Sequence, residues 1–327
     1  MKLRVPIAVA GLLALALTGC SSGSGGSASD SNGVTTLKVG TIGLSSDAAL
    51  QIGITKGFFK DEKLNVQVST VANPPAGIAA AQSGQLALTY APSIPVINAI
   101  SQGVPLKVVA GADGYEPSSE QPKDLSKVDD TGLFVPKGSS ITSAKDLDGK
   151  TIAVPARKAQ MEVTITQVIK DAGGDPSTVK WMVLDFASAV QALKTGRVDA
   201  AALVSPFTSE AVTDGATLLA SPGVAFFKEG AVGLYVAGQS TVQSETPSLE
   251  AFQRGIYKAN AYCDAHLAEC QQVGADLTKQ PLSVIQAGGV TYWPTAVAPE
   301  DLSRVNTQLV QLGFLAKPAN LDNVILK

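Results

Sequence analysis

The residues able to do chemistry are easier to exclude from catalysis than to assign to it. His266 is the single histidine, so a Ser-His-Asp triad or a His-based metal site would have to be built on it alone. No H-E-x-x-H occurs, and neither a G-x-S-x-G elbow nor a G-x-G-x-x-G turn follows a strand. Asp146 to Thr151 ends like a phosphate-binding loop, but Ala144 stands where its first glycine is required. What remains is binding chemistry. Polar and aromatic groups recur just after apolar segments: Leu44, Ser45 and Ser46 after LKVGTIG (37–43), Asn73 after LNVQVSTV (64–71), and Tyr90 and Ser93 around Pro92. Arg157 and Gln160 follow TIAVPA, Asp185 follows VKWMVL, and Ser205 and Phe207 flank Pro206. Such groups can hold a small solute without covalent change. Arg157 could fork a sulfonate or carboxylate with two hydrogen bonds, or lie solvated at a rim beside Lys158. Asp185 could accept from an amine or hydroxyl, or cap the helix that follows it. Asp47 and Asn73 read equally well as caps. No catalytic residue, cofactor or metal is expected.

These groups need elements to position them. Short apolar strands alternate with Pro- or Gly-punctuated helices from residue 37 to about 220, which implies an α/β fold with mostly parallel sheets covered by helices. A second series begins near residue 132, after the polar segment YEPSSEQPKDLSKVDD. AAAQSGQLALTYAPS and VQALKTGRVDAAALVSP echo each other as helix, Gly stop, strand and Pro-started helix. Ligands of open α/β sheets sit beyond the carboxyl ends of strands, where helix N-termini offer free N–H groups. Two lobes facing each other would enclose a cleft. Gly132-Leu133-Phe134-Val135 and Gly233-Leu234-Tyr235-Val236 bracket the second series as the two strands of a hinge would. This sets residues 34–131 and 237–327 as lobe 1 and 132–236 as lobe 2. The C-terminal third reads as mainly helical.

Lys2 and Arg4 precede an apolar run of 13 residues, Val5 to Leu17, too short to span a membrane. Leu17-Thr18-Gly19-Cys20 resembles a bacterial lipobox, with 1–19 as the signal peptide and Cys20 as the lipid anchor. Residues 20–33 then form a Ser/Gly tether with a reach of roughly 20 Å, placing the body on the extracytoplasmic face of the cell membrane. Without residues 1–19 the chain holds 23 basic and 28 acidic residues, a balance that argues against nucleic acid as a partner. Cys263 and Cys270 would be about 10.5 Å apart along one helix, but a turn at Asp264-Ala265-His266 would let them form a disulfide, preferred here to a metal pair.

GLSSDAALQIGITKGFFKDEKLNVQV, AAAQSGQLALTYAPSIPVINAISQGVPLKVVAG, SAKDLDGKTIAVP and AVQALKTGRVDAAALVSPF together resemble ABC-transporter substrate-binding proteins of the sulfonate/nitrate/taurine type, a family that includes binders of thiamine pyrimidine precursors. The resemblance implies a two-lobed type II periplasmic-binding fold, capture of a solute by hinge closure, and delivery to a membrane permease, with the protein a monomer and not an enzyme. Arg157 and Lys158 depart from the small Ser/Gly-rich residues usual in the family at that turn. A small organic anion is the expected solute, an aliphatic sulfonate first; an aromatic carboxylate, nitrate or a pyrimidine precursor stay open, as does a lipid-anchored sensor on the same fold.

Overall fold

The alternation of apolar strands and punctuated helices folds as two separate open sheets in the computed structural model, which describes residues 33–117 and 124–327 and the strand Ser27–Ser29. The expected leader, Cys20 and residues 21–26 and 30–32 of the expected tether lie outside the described residues. The first part of the chain supplies β1 (Ser27–Ser29), β2 (Thr35–Thr41), β3 (Leu64–Thr70), β4 (Leu88–Pro92) and β5 (Leu106–Tyr115), with α1 (Ala48–Thr55), α2 (Phe58–Asp61), α3 (Pro74–Gln82) and α4 (Ser93–Ser101). It crosses to a second sheet as β6 (Thr131–Val135), β7 (Thr151–Val154), α5 (Gln160–Asp171), β8 (Lys180–Val183), α6 (Phe186–Lys194), β9 (Ala200–Val204), α7 (Phe207–Thr213), β10 (Thr217–Ala220) and α8 (Pro222–Phe227). It returns as β11 (Gly230–Gly238), followed by α9 (Gln239–Ala265), α10 (Leu267–Thr278), α11 (Leu282–Ala287) and α12 (Pro299–Gln311).

In the first sheet β2 pairs in parallel with β3 and β4, and β11 is threaded antiparallel between β4 and β5. The second runs β10-β6-β9-β7-β8, with β7 parallel to both neighbours and β6 antiparallel to β9 and β10. Apart from β1, which pairs antiparallel with β2, each sheet is parallel except where the chain enters it from the other. The two echoed segments Gly132–Val135 and Gly233–Val236 are those entering strands. The return crossing falls before Gly230, however, and not after Val236, because all of β11 is hydrogen-bonded into the first sheet. Gly233 makes that fit possible: a Cβ there would lie 2.1 Å from Asp113 Oδ1 and 2.6 Å from the Tyr90 ring.

Two local departures have simple causes. The stretch 47–59 reads as one helix in sequence, but Gly57 adopts φ +82° and divides it into α1 and α2. Three residues of the expected tether, Ser27–Ser29, pair with Thr35–Leu37 of β2. Strand pairing runs through backbone hydrogen bonds, so a composition unable to build a core does not prevent it.

Fully buried Leu37, Val39, Leu88, Val109 and Ala110 form the interior of the first sheet, and Ile152, Val154, Ala200 and Ala202 that of the second. The long α9 is held to the first sheet by Phe252, whose ring stacks on Phe59 at 5.2 Å and meets Tyr235 edge-on at 5.2 Å. Cys263 near the end of α9 is disulfide-bonded to Cys270 in α10, with His266 as the turn between the helices. Among the described residues no helix is long and apolar enough to cross a membrane. Truncating Phe252 to Ala removes both ring contacts from a site with no exposure. Urea unfolding of Phe252→Ala is expected to show a loss of about 3–5 kcal/mol.

Candidate functional site

The two sheets present the carboxyl ends of their parallel strands to a common cleft of about 440 Å³. The first sheet supplies Ile42 to Leu44 after β2, Ala72 to Pro74 before α3, Tyr90, Pro92 and Pro95 at the β4–α4 junction, and Asp113 to Tyr115 at the end of β5. The second supplies Pro155, Ala156 and Ala159 to Met161 around the start of α5, Val183 and Asp185 to Ala187 at the start of α6, and Val204 and Phe207 at the start of α7. This is where strand-to-helix turns of such sheets collect ligands. Pro-led or Asx-led helix starts put each turn there: Asn73 Oδ1 accepts from Ala76 N at 3.0 Å, and Asp185 Oδ1 accepts from Ser188 N at 2.8 Å. Phe186 and Phe207 stack at 5.5 Å as one aromatic wall, and Val183 beside them is 55% exposed.

Of the residues singled out in the sequence, Leu44, Asn73, Tyr90, Gln160, Asp185 and Phe207 line this cleft together. Ser45, Ser46, Ser93, Arg157 and Ser205 do not. Ser45 Oγ instead lies 3.5 Å from Ser205 Oγ, a contact between the two lobes beside the disulfide. Ser46 offers its carbonyl to Trp293 Nε1 at 2.9 Å, and Ser93 is fully buried at the start of α4. Arg157 is neither a ligand fork nor free at a rim: its Nε and Nη2 donate to buried Glu162 at 2.7 and 3.1 Å, and the pair faces a different groove, between α5 and residues 312–314. Glu162 also accepts from Lys158 N at 2.6 Å, so one carboxylate organises this whole turn and draws the guanidinium away from the cleft. Asp185 is a helix cap whose carboxyl is held below the usual range by the hydrogen bond from Ser188 N and then by the Ser188 hydroxyl.

Two acids stand among the cleft residues not singled out in the sequence. Asp113 and Asp130 both line it. Asp113 is 6% exposed; its Oδ1 accepts from Tyr90 OH at 3.4 Å, and its Oδ2 has no hydrogen-bond partner. Burial pushes its carboxyl up, opposed by hydroxyls around it. Tyr115 OH lies 2.8 Å from Asp129 Oδ1 and 3.2 Å from Asp130 Oδ1. One hydroxyl proton cannot serve both carboxylates, and Asp129 already accepts from four donors. The set is satisfied when Asp130 carries a proton and donates to Tyr115, which donates to Asp129. Consistently, burial, then Asp113 and then Asp129 push Asp130 up to about 8. Asp47 is pushed up to about 7 by burial, with Asp113 adding to the shift, while its Oδ2 accepts from Leu44 N at 3.0 Å. A signal existed for Asp113: an acid closing the apolar run VVAGA (108–112).

Residues 46–269 match the family model described as NMT1/THI5 like. The chain belongs to this family. Two relatives share 27% identity with it. One, from Brachyspira hyodysenteriae, is named as an ABC transporter periplasmic binding protein and is matched over 59% of this chain; the chain spans only 56% of that relative's length. The other, from Haemophilus influenzae, is named for thiamine biosynthesis and is matched over 69% of this chain and 67% of its own. The alkanesulfonate-binding protein SsuA of Xanthomonas axonopodis pv. citri, bound to MOPS, superposes with a TM-score of 0.72 over 89% of this chain and 97% of its own at 19% identity. At that identity the likeness concerns the fold. This NMT1/THI5-like chain thus has the two-lobed periplasmic-binding architecture.

The raised carboxyls give this family member a pH signature. A carboxyl whose folded value lies above its ordinary 3.8 binds its proton more tightly in the native state. Its stabilising effect is complete below 3.8 and is lost as pH rises through the folded value. For Asp130 the window runs from about 4 to 8, and for Asp47 from about 4 to 7. The melting temperature of the solute-free protein is expected to fall as pH is raised from 5 to 8. Asp130→Asn, which cannot ionise, should flatten that fall in a fluorimetric melt.

Proposed function

We propose that this chain is the extracytoplasmic solute-binding component of an ABC importer, taking a small organic solute into the cleft and delivering it to a permease. The observation that carries the reading is that the cleft wall comes in comparable parts from both sheets, so a solute contacting both favours the closed arrangement of the lobes. Membership of the NMT1/THI5-like family and the name of the Brachyspira relative support it. No covalent step is required of the chain. Energy for transport would come from an ATPase on another polypeptide. Cys20 is proposed as a lipid anchor on the outer face of the membrane, with residues between it and the first sheet as its tether.

The expected anion has lost its strongest support. Arg157 is engaged by Glu162 outside the cleft, and among the described residues no Lys, Arg or His lines the cleft. Helix N-termini of α3, α5 and α6 still face the cleft, each with a partial positive charge of about half a unit. Asn73 and Asp185 already cap two of them with their own side chains. Against these stand the whole negative charges available to Asp113 and Asp130, so an aliphatic sulfonate is the weaker fit.

Small-angle scattering checks the closure. A solute that raises the melting temperature should also reduce the radius of gyration, and Phe207→Ala, which removes half of the stacked wall, should weaken its binding by about tenfold or more. Binding with no compaction would remove the closure mechanism. For the anchor, Cys20→Ala is expected to move the protein from the membrane fraction to the soluble fraction of cells.

A further inference from the structure

We propose that the solute carries a cationic nitrogen, an ammonium or amidinium group, seated between Asp113 and Asp130, with an apolar body against Phe186 and Phe207. The inference rests on the reading of the cleft as the solute site and names the chemical class of its occupant.

Three observations carry it. First, both carboxyls line the cleft, and among the described residues neither forms an ion pair. Buried acids are ordinarily paired or hydrogen-bonded on both oxygens. Asp113 is more than nine-tenths buried, yet its Oδ2 has no partner, whereas neighbouring Asp129 is satisfied on both oxygens by four donors. Structural donors engage Asp129 on both oxygens, whereas Asp113, beside the Ser46 and Tyr90 hydroxyls and the Gly233 N–H, keeps one oxygen without a hydrogen bond. Second, both carboxyls line the one cleft, and the charge of Asp113 helps hold the proton on Asp130. One cation between them would favour release of that proton and supply donors to both carboxylates, whereas an anion would oppose it. Third, the facing wall is the Phe186–Phe207 stack with exposed Val183, an apolar surface suited to a ring or short hydrocarbon. The volume, about 440 Å³, lies near the small end for organic ligand sites. A bare metal ion fits less well, since among the described residues no three His, Cys, Asp or Glu side chains converge as metal ligands.

The test uses four probes of one size and opposite charge: benzylammonium, benzamidinium, benzenesulfonate and benzoate, each at millimolar concentration with the intact protein. Thermal melts and titration calorimetry are expected to show binding of the two cations and not of the two anions. Asp113→Asn and Asp130→Asn should each weaken the cations by roughly thirtyfold or more, the loss seen when one member of a desolvated charge pair is neutralised. Both substitutions keep side-chain volume, and unchanged circular dichroism would verify folding. The four-probe comparison needs no variant, so the inference stays testable should either variant misfold. Binding of benzenesulfonate or benzoate in preference to the cations overturns the inference, as does an absence of binding by both cations. Cation binding that survives both substitutions overturns it too, by placing the cation elsewhere. The underlying reading fails separately. Cations that bind without compaction remove hinge closure and leave the charge assignment standing, whereas an anion that binds with compaction does the reverse.

Discussion

The Asp129 carboxylate holds together the place where the chain passes twice between its two sheets. It accepts from Tyr115 OH at the end of β5, from Thr131 N and Oγ1 at the start of β6, and from Val224 N in the first turn of α8. The outgoing crossing and the approach to the return crossing are thereby tied to one buried charge. A carboxylate in that position is costly without donors, and losing any of them would leave it poorly satisfied. The same point explains Gly223, where a Cβ would stand 1.8 Å from Tyr115 Oη and 2.6 Å from Asp129 Oδ1. Its neighbour Asp130 lines the cleft, with Oδ1 3.2 Å from the same Tyr115 hydroxyl, so the residue that ties the crossings adjoins one that lines the site.

The cleft is a balance between two electrostatic sources. Backbone dipoles at the strand-to-helix turns make it weakly positive, as any pair of open α/β sheets would. Side chains then decide the sign. Glu162 withdraws Arg157 and the Lys158 amide into a separate turn, and Asp113 and Asp130 enter from β5 and the crossing. Fold and ligand class are separable because the former rests on buried apolar packing and the latter on a few turn residues.

Much of the architecture was legible in the residues. The helix–Gly–strand–Pro echoes correspond to α3, β4, α4 and to α6, β9, α7, with Gly84 and Gly196 at positive φ as helix stops. Local chemistry explains this, because a Pro start and a left-handed Gly act over three or four residues. Leu44, Asn73, Tyr90, Gln160, Asp185 and Phe207 were legible as cleft residues for the same reason: each adjoins a strand-to-helix turn, and such turns converge by topology. Asp113 and Asp130 were not. Asp113 lies within a strand and Asp130 in a polar crossing segment, so neither adjoins the helix starts on which the site was drawn. Arg157 was misplaced because its partner, Glu162, is five residues along on the following helix, and only folded geometry shows whether a flexible guanidinium turns toward a ligand or a carboxylate.

The sequence by itself determined the α/β alternation, the two-lobed division and the turns that face the cleft, since apolar periodicity and turn residues act locally and parallel sheets admit few topologies. It also brought Cys263 and Cys270 within reach through a helix break at His266. Only the tertiary structure decided where the return crossing lies, because β11 needed neighbours on both edges before its register had meaning. Only it decided the sign of the cleft, because burial and contacts between residues far apart in the chain determine which charges are paired and which are left to meet a solute.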